Sequence, residues 1–198
     1  MHHKFNVENH TKCKLPTKNG WFDFIVWNMT TGKEPVALVT EKLDASFPVT
    51  VRIHSECLTG DVFQSSNCDC GYQKDVALDI IQKSDNGIFL YDRQEGRGIG
   101  LFEKMKALEL QKYGIDTYQA NKNLGFLGDD REYSIPIQIL KYFEVTHIKI
   151  ITNNPSKLTA LENAGFIIVE RIQIKTEYDP YNEKYLLEKK NIGNHLLT

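Results

Sequence analysis

The sequence contains no apolar run near the roughly 20 residues that a membrane helix needs. Its polar N-terminus, MHHKFNVENHTKCKLP, lacks the apolar centre of a signal peptide. It has no tract rich in proline, glycine or serine, no long block of like charges and no internal repeat. The net charge of −2 supplies no general attraction for nucleic acid or anionic membranes, so we expect neither as a partner. These absences favour a globular, cytoplasmic protein, and we expect residues 1–198 to form one domain.

Cysteine is scarce, with four in 198 residues, yet Cys57, Cys68 and Cys70 lie close together in the chain. In a reducing compartment, clustered cysteines bind metal or act in catalysis more often than they form disulfides. Three zinc ligands leave a position open for water, as in catalytic sites, whereas a fourth ligand makes the site structural. Cys13 or His54 could supply that fourth ligand. The spacing also allows cysteines that pack or undergo redox chemistry without metal.

Short strand-like segments alternate with helical periodicity along most of the chain. Such alternation predicts an α/β fold, a single domain with a mostly parallel or mixed sheet flanked by helices. Functional groups of such folds gather at the loops that follow the strands. Beyond residue 174 the chain is polar, and we expect a surface tail with a short helix. Predicted strands lie within residues 34–43, 46–54, 87–91, 147–152 and 166–172, and predicted helices within 71–84, 98–114, 131–143 and 154–165.

Two of these loops carry groups suited to anions. Arg97 lies in the glycine-rich segment EGRGIG between a strand and a helix, where a backbone can approach a ligand closely. Asn154 and Pro155 suit the start of a helix, and Lys157 falls in its first turn. A cation in the first turn interacts unfavourably with the helix dipole, and a bound anion would offset this cost. The alternative to an anion site is a lysine side chain that is simply solvated. For Asp129–Arg131 the sequence alone favours a capping carboxylate and a surface ion pair.

Taken together, seven motifs resemble the GTP cyclohydrolase II family. They run in order from about residue 36 to about residue 173: VRIHSECLTGD, CDCGYQ, YDRQEGRGIGL, DTYQAN, LGFLGDDREY, TNNPSK and AGFIIVER. The resemblance implies that water adds to C8 of the guanine ring of GTP, the imidazole opens, and formate and pyrophosphate leave. The product would be 2,5-diamino-6-ribosylamino-4(3H)-pyrimidinone 5′-phosphate, in the first step of riboflavin biosynthesis. The family also suggests a homodimer, and Mg²⁺ would accompany the triphosphate.

The resemblance assigns roles to individual residues. Cys57, Cys68 and Cys70 match the family's ligands for one Zn²⁺, which would activate the attacking water. Asp129 and Arg131 match its proposed proton acceptor and its nucleophile at the α-phosphorus. Because a guanidinium stays protonated, Arg131 could instead stabilise phosphoryl charge, oriented by Asp129. The substrate-contacting positions are Arg52, Ile53, His54, Ser55, Glu56, Gln73, Glu95, Gly96, Arg97, Thr117, Thr152 and Lys157, of which Glu95 would bind either guanine or magnesium.

One position departs from the family pattern. Leu108 stands where the riboflavin enzymes carry a tyrosine whose hydroxyl is thought to act near the zinc. Leu108 either completes an apolar stripe with Leu101 and Met105, or leaves the enzyme unable to remove the formyl group. In the second case the product is the formamidopyrimidine nucleotide of another pathway, unless Tyr113 or Tyr118 substitutes.

Two alternative functions would not involve the turnover of GTP. A non-enzymatic zinc module would use Cys13 to close a four-thiolate site. A degenerate member that only binds GTP is disfavoured by the presence of Asp129 and Arg131.

Overall fold

The computed structural model describes residues 5–29, 32–127, 129–176 and 181–196, except for the side chain of Lys184. The chain divides into two compact units, each made of three separate stretches. We call them the sheet unit (Met1–His54, Asp75–Arg93 and Tyr133–Ile174) and the cysteine unit (Ser55–Lys74, Gln94–Glu132 and Lys175–Thr198). That residues 1–198 act as one catalytic domain stays a prediction.

Seven strands form one mixed sheet: β1 (His10–Thr17), β2 (Gly20–Trp27), β3 (Val36–Val39), β4 (Val49–Ser55), β5 (Gly87–Asp92), β6 (His147–Ile151) and β7 (Ile167–Ile172). Their order across the sheet is β1-β2-β3-β5-β4-β6-β7. The pairs β1–β2, β2–β3 and β3–β5 are antiparallel, whereas β4–β6 and β6–β7 are parallel. Parallel neighbours need a crossover, and α6 (Pro155–Asn163) supplies it between β6 and β7. The predicted α/β fold with a mixed sheet flanked by helices is confirmed.

Two apolar clusters cover opposite faces of the sheet, because neighbouring residues of a strand point to opposite sides. On β5, Ile88 and Leu90 belong to one cluster and Phe89 to the other. Helix α5 (Ser134–Tyr142) and α6 contribute to the first cluster, and α2 (Cys70–Ser84) contributes to the second. Helices therefore shield both faces, as expected for this fold class.

Strand β4 is buried on both faces. Apolar and polar residues alternate along it, a pattern typical of a half-buried strand. Here the polar Thr50, Arg52 and His54 are as well buried as the apolar residues between them. β4 lies inside the sheet between β5 and β6, and the burial of consecutive residues shows that neither of its faces is open to solvent. Its polar side chains must therefore find partners within the protein.

The elements that the sequence did not predict include a hairpin and a short polar helix. The hairpin of β1 and β2 pairs His10 with Trp27 and Thr17 with Gly20. Strand β1 is an edge strand with mostly exposed side chains, so it carries almost no apolar signal. The second missed element is α4 (Thr117–Asn123), which is short and polar and begins at the capping carboxylate of Asp116.

Helix α3 (Leu101–Gln111) is confirmed, but its apolar stripe is not buried within the chain. Leu101 and Met105 keep 38% and 39% of their surface exposed, whereas Ala107 is buried. Leu108 follows Leu101 and Met105 at the spacing of one helix face, and it is half-buried where those two are exposed.

The C-terminal segment contains the expected short helix, α7 (Glu183–Asn191), but this helix is not a surface tail. Leu186 is fully buried, and Glu188 and Lys189 are each only 8% exposed. Its polar composition hid this packing because the buried polar residues are paired within the cysteine unit. Residues 177–180 of the predicted tail lie outside the described part of the chain. Among the described residues, no helix is long and apolar enough to cross a membrane.

Candidate active site

Three cysteines converge in the cysteine unit. Cys57 precedes α1 (Leu58–Asp61), Cys68 lies in the following loop, and Cys70 is the first residue of α2. Their sulfur atoms all lie within 4.8 Å of one another, and the Sγ atoms of Cys57 and Cys68 are 3.8 Å apart. All three are free thiols, with Cys57 buried and the other two half-buried. The three cysteines, which lie within fourteen positions of the chain, therefore form one group of metal-ligand type.

Neither proposed fourth ligand belongs to this group. Cys13 is exposed on β1. His54 stacks on Phe89 and Tyr91, with ring centroids 5.5 and 5.7 Å away. Within the described ranges the group has three members, which is the number found in open, catalytic zinc sites.

The ionisation of the sulfurs fits a divalent cation. Hydrogen bonds from Cys68 and Cys70 lower the pKa of the Cys57 thiol. The hydrogen bonds with Cys57 in turn raise the pKa of Cys68 and of Cys70. Three adjacent thiolates repel one another, so the ionisation of one sulfur disfavours the ionisation of the other two. A thiophilic cation such as Zn²⁺ would let all three ionise.

Two glycines shape the space around the sulfurs. A Cβ atom at Gly60 would lie 2.9 Å from Cys68 Sγ and 3.3 Å from Cys57 Sγ. A Cβ atom at Gly71 would collide with the carbonyl oxygen of Gly60. Both positions therefore require glycine for close approach, and the backbone of α1 can lie directly against the cysteine group.

Lys104 joins the cysteine group to the glycine-rich loop. Its Nζ donates to Cys57 Sγ at 3.2 Å, to Thr59 Oγ1 at 3.0 Å and to Glu95 Oε1 at 2.8 Å. Burial acts to lower the pKa of Lys104, but the negative charges of Cys57 and Glu95 outweigh burial and raise it. Lys104 is therefore a fixed cation beside the sulfurs, which offsets part of their negative charge.

Glu95 is held at both carboxylate oxygens. Its Oε2 accepts from Leu58 N at 2.6 Å, and its Oε1 accepts from Gly96 N and from Lys104. It lies at the start of the 3-10 helix Glu95–Gly98, where Gly96 has a φ of 65°. The sequence predicted contacts of Glu95 with guanine or magnesium, and either would compete with these hydrogen bonds.

The loops that carry Arg97 and Asp129 pack against each other. Asp130 N donates to the carbonyl oxygen of Arg97 at 2.9 Å, and a Cβ atom at Gly98 would lie 2.8 Å from the carbonyl oxygen of Asp130. Arg131 donates from its guanidinium to both carboxylate oxygens of Asp129, with the Nε–Oδ1 distance at 2.8 Å. The ion pair expected on the surface is partly shielded, because the Arg131 side chain is 13% exposed whereas that of Asp129 is 31% exposed.

Charge around Asp129 keeps its carboxylate ionised. Burial acts to raise the pKa of Asp129, but the hydrogen bonds and charge of Arg131, together with the charge of Arg97, lower it overall. The guanidinium carbon of Arg97 lies 4.0 Å from the centroid of the Tyr118 ring. Its two terminal nitrogens are buried and hydrogen-bond no described residue. A buried cationic group without acceptors is suited to an anionic ligand.

Two predicted substrate contacts already have protein partners in the cysteine unit. The side-chain amide of Gln73 donates to Asp69. The backbone nitrogen and the hydroxyl of Thr117 both donate to Glu188, at 3.0 and 2.5 Å. Their assignment to substrate stays a prediction.

Two other predicted contacts lie at the end of β4. The Ser55 hydroxyl oxygen is buried and hydrogen-bonds no described residue, and Glu56 is half-buried.

The remaining predicted positions lie in the sheet unit, where β4 and β6 end at the same edge. Lys157 is 5% exposed and donates from Nζ to the carbonyl oxygen of Ile53 at 2.7 Å, so the alternative of a solvated lysine is wrong. Arg52 donates to the carbonyl oxygen of Ile151 at 3.0 Å. The hydroxyl of Thr152 accepts from Asn154 N at 3.0 Å.

The helix start predicted at Asn154 is confirmed. Its side chain accepts from Ser156 N at 2.9 Å, and Pro155 opens α6. The sheet unit therefore gathers Arg52, Ile53, Thr152 and Lys157 at one edge, as expected for loops that follow parallel strands.

Sequence reasoning missed several polar residues of the cysteine unit. Lys104 lies in a helix and belongs to no motif. Asp69 lies between two predicted ligands but offers no signal of its own. The partners Glu188 and Lys189 lie in a segment that resembles an ordinary charged helix. A lysine–cysteine or lysine–aspartate pair distant in sequence becomes visible only once the chain is folded.

Comparison with known proteins identifies the class of protein to which this fold and this cysteine group belong. A sequence model described as GTP cyclohydrolase II matches residues 8–173. GTP cyclohydrolase-2 of Azotobacter vinelandii is 48% identical over 185 residues, which cover 93% of this chain and 89% of that protein. GTP cyclohydrolase-2 of Aeromonas hydrophila is 47% identical over 186 residues, covering 93% of this chain and 94% of that protein. The chain belongs to the GTP cyclohydrolase II family.

The chain is also similar to longer proteins. Riboflavin biosynthesis protein RibBA of Bacillus subtilis is 49% identical over 195 residues, which cover 96% of this chain and 48% of that protein. The chain thus spans about half the length of that relative. The predicted family, and with it the prediction of an enzyme, is confirmed.

Proposed function

We propose that the protein opens the guanine imidazole ring of GTP by hydrolysis at C8 and releases formate and pyrophosphate. The product is then 2,5-diamino-6-ribosylamino-4(3H)-pyrimidinone 5′-phosphate, and the step begins riboflavin biosynthesis. The observation that carries this proposal is the group of three sulfur atoms within 4.8 Å, with Lys104 and Glu95 directly beside it. Membership of the GTP cyclohydrolase II family supports the choice of substrate.

Cys57, Cys68 and Cys70 would hold one Zn²⁺ per chain. The chemistry that the ion supplies when bound is Lewis-acid activation of water at neutral pH. Lys104 holds Cys57 in place and offsets the negative charge of three thiolates, which would otherwise weaken that acidity. Glu95 fixes Lys104 and the backbone of Leu58, so that the sulfurs and the glycine-rich loop keep a constant spacing.

Arg97 and Arg131 would bind the phosphates. The buried terminal nitrogens of Arg97 hydrogen-bond no described residue, so a phosphate oxygen can accept from them. Arg131 donates twice to Asp129, and a guanidinium held in this way stays protonated. We therefore favour charge stabilisation at the α-phosphorus by Arg131, oriented by Asp129, over direct nucleophilic attack. Mg²⁺ bound to the triphosphate would complete charge neutralisation.

Several further features belong to the same proposal. We infer that residues 1–198 work as one catalytic domain and that the protein is a homodimer, as the family resemblance suggests. We propose that the protein works in the cytoplasm, where thiols such as these three stay reduced. Sedimentation equilibrium of the zinc-loaded protein should give twice the chain mass of 22.8 kDa. A species of the single-chain mass at micromolar concentration would contradict the homodimer.

The function is tested with zinc-loaded protein and GTP, followed by ultraviolet spectra, product mass, formate and pyrophosphate. We expect one formate and one pyrophosphate for each GTP consumed. Cys70→Ser should abolish ring opening, and Arg131→Lys, which keeps the charge but loses the fork, should lose pyrophosphate release. Tight zinc binding without any turnover of GTP would favour a non-enzymatic zinc module instead.

One observation favours a second candidate product. Leu108 replaces the family tyrosine and follows Lys104 by four residues on α3, so both side chains lie on the same side of the helix. Of the two tyrosines that could substitute, Tyr113 is 79% exposed and Tyr118 lies under Arg97. Losing a hydroxyl donor near the reacting atoms slows such a step by on the order of 100-fold.

Formate stoichiometry separates the two products. If deformylation fails, pyrophosphate appears without formate and the product keeps the mass of the formyl group. Leu108→Tyr should then restore formate, whereas Leu110→Tyr on the same helix should not. One formate per pyrophosphate in the unaltered protein rules out the incomplete reaction.

A further inference from the structure

The residue between two of the proposed zinc-ligand cysteines is held in place by an ion pair and by hydrogen bonds to its side chain. Asp69 separates Cys68 from Cys70, and its side chain has no exposed surface. Its Oδ1 accepts from Lys189 of α7. Its Oδ2 accepts from Gln73 and, at 3.1 Å, from Thr176. A buried carboxylate with a cation and two further donors is a fixed point of the structure.

This fixed point constrains the two cysteines directly. Cys68 and Cys70 are each one peptide unit from Asp69, so a shift of Asp69 moves both sulfur atoms. Zinc–sulfur distances tolerate only about 0.2 Å of error in a good site. The anchor therefore acts on the ligand geometry of the segment from Cys68 to Cys70.

The anchor comes from the C-terminal helix. Lys189 is 10% exposed at its side chain, and its ammonium lies 4.5 Å from the centroid of the Tyr185 ring on the same helix. The preceding residue, Glu188, binds the backbone nitrogen and hydroxyl of Thr117 at the start of α4. Consecutive residues of α7 thus hold two separate segments of the cysteine unit.

We propose that α7 positions the zinc-binding loop through the Lys189–Asp69 ion pair, so that zinc affinity depends on the C-terminal helix. Lys189 is a positioning residue that acts through Asp69 and touches none of the sulfurs in the described contacts. The inference rests on the proposed zinc site. Removing partners of this kind typically weakens metal binding 10–100-fold.

The test measures Zn²⁺ affinity by competition with a chromogenic chelator, in zinc-stripped, reduced protein. Lys189→Met should weaken binding about 10–100-fold, while Lys190→Met, the exposed neighbour with the same charge, should match the unaltered protein. Because Lys189→Met leaves a buried charge unpaired, Asp69→Asn/Lys189→Met is the second variant. The double variant leaves no unpaired buried charge, so we expect it to fold. Because it also lacks the ion pair that holds Asp69, its zinc affinity should remain below that of the unaltered protein.

A second readout uses the reciprocity of coupled equilibria. If α7 supports zinc binding, zinc binding must stabilise α7 by the same free energy. Hydrogen exchange of the amides of residues 186–191 should slow on adding Zn²⁺ to the unaltered protein and to Lys190→Met. It should not change in Asp69→Asn/Lys189→Met.

The possible failures are distinguishable. An unaltered protein that binds no zinc would overturn the proposed site itself. Zinc binding that is equally tight in the unaltered protein and in the folded double variant would overturn only the role of α7. Equal losses in Lys189→Met and Glu188→Gln would show that α7 acts by general packing, and the specific ion pair would then be wrong.

Discussion

Lys104 offers the clearest quantitative test of the site's electrostatics. Its ion pair with Glu95 has an N–O distance of 2.8 Å, with side-chain exposures of 17% and 9%. Two residues later, Lys106 pairs with Glu103 at 2.9 Å, with exposures of 49% and 26%. Both lysines belong to α3, so substitution by methionine changes the same side chain in the same helix but at very different depths.

The expected costs differ because of desolvation. Removing one partner of a buried pair costs about 3–5 kcal/mol, and the remaining exposure of Lys104 places it near the lower end, at about 3 kcal/mol. Removing one partner of an exposed pair costs about 0–1 kcal/mol. We therefore expect Lys104→Met to lower the free energy of unfolding by about 2 kcal/mol more than Lys106→Met does.

The assay is equilibrium unfolding in urea, with zinc-free, reduced protein and with midpoints compared at equal slopes. The variant Glu95→Gln/Lys104→Met removes both charges and should recover part of the loss, because no unpaired carboxylate remains buried. If Lys104→Met and Lys106→Met unfold at the same urea concentration, the Lys104–Glu95 ion pair contributes no more to the free energy of unfolding than an exposed pair does. The expected electrostatic role of Lys104 would then be wrong.

Three further predictions concern the metal site and the phosphate loop. Gly60→Ala should weaken Zn²⁺ binding at least about tenfold, because its Cβ would lie 2.9 Å from Cys68 Sγ; chelator competition measures this, and unchanged affinity would contradict the close packing. Saturating Zn²⁺ should stabilise the protein by about 2.7 kcal/mol at a free concentration 100 times the dissociation constant, and Cys70→Ser should abolish this gain in thermal unfolding. Because the pKa of Asp129 is lowered in the folded state, its ionised form stabilises the protein above the unfolded pKa of about 4, and this contribution is lost as pH falls through the folded pKa. Asp129→Asn should therefore show a shallower loss of unfolding free energy with falling pH in the acid range, whereas an unchanged slope would mean that Asp129 is not stabilised by Arg131.

Periodicity predicted most of the strands and helices, because their apolar residues recur with the spacing of the element that carries them. Strands β3 to β7 and helices α2, α3, α5 and α6 were all expected. Two of the failures share a cause. Strand β1 is an exposed edge and α4 is short and polar, so neither carries an apolar pattern. Leu101 and Met105 do carry one, but periodicity does not say whether a partner surface within the chain covers them.

The amino-acid sequence by itself determined the family and indicated which three cysteines form one group, since both depend on residue types at fixed spacings along the chain. Only the tertiary structure decided which polar residues surround these positions. Lys104 reaches Cys57 across 47 positions of the chain, and Lys189 reaches Asp69 across 120. Partners that far apart in the chain leave no local pattern in the sequence, because the attraction between two charges depends on their distance in space. The electrostatic surroundings of the cysteines and the anchoring by α7 therefore belong to the fold.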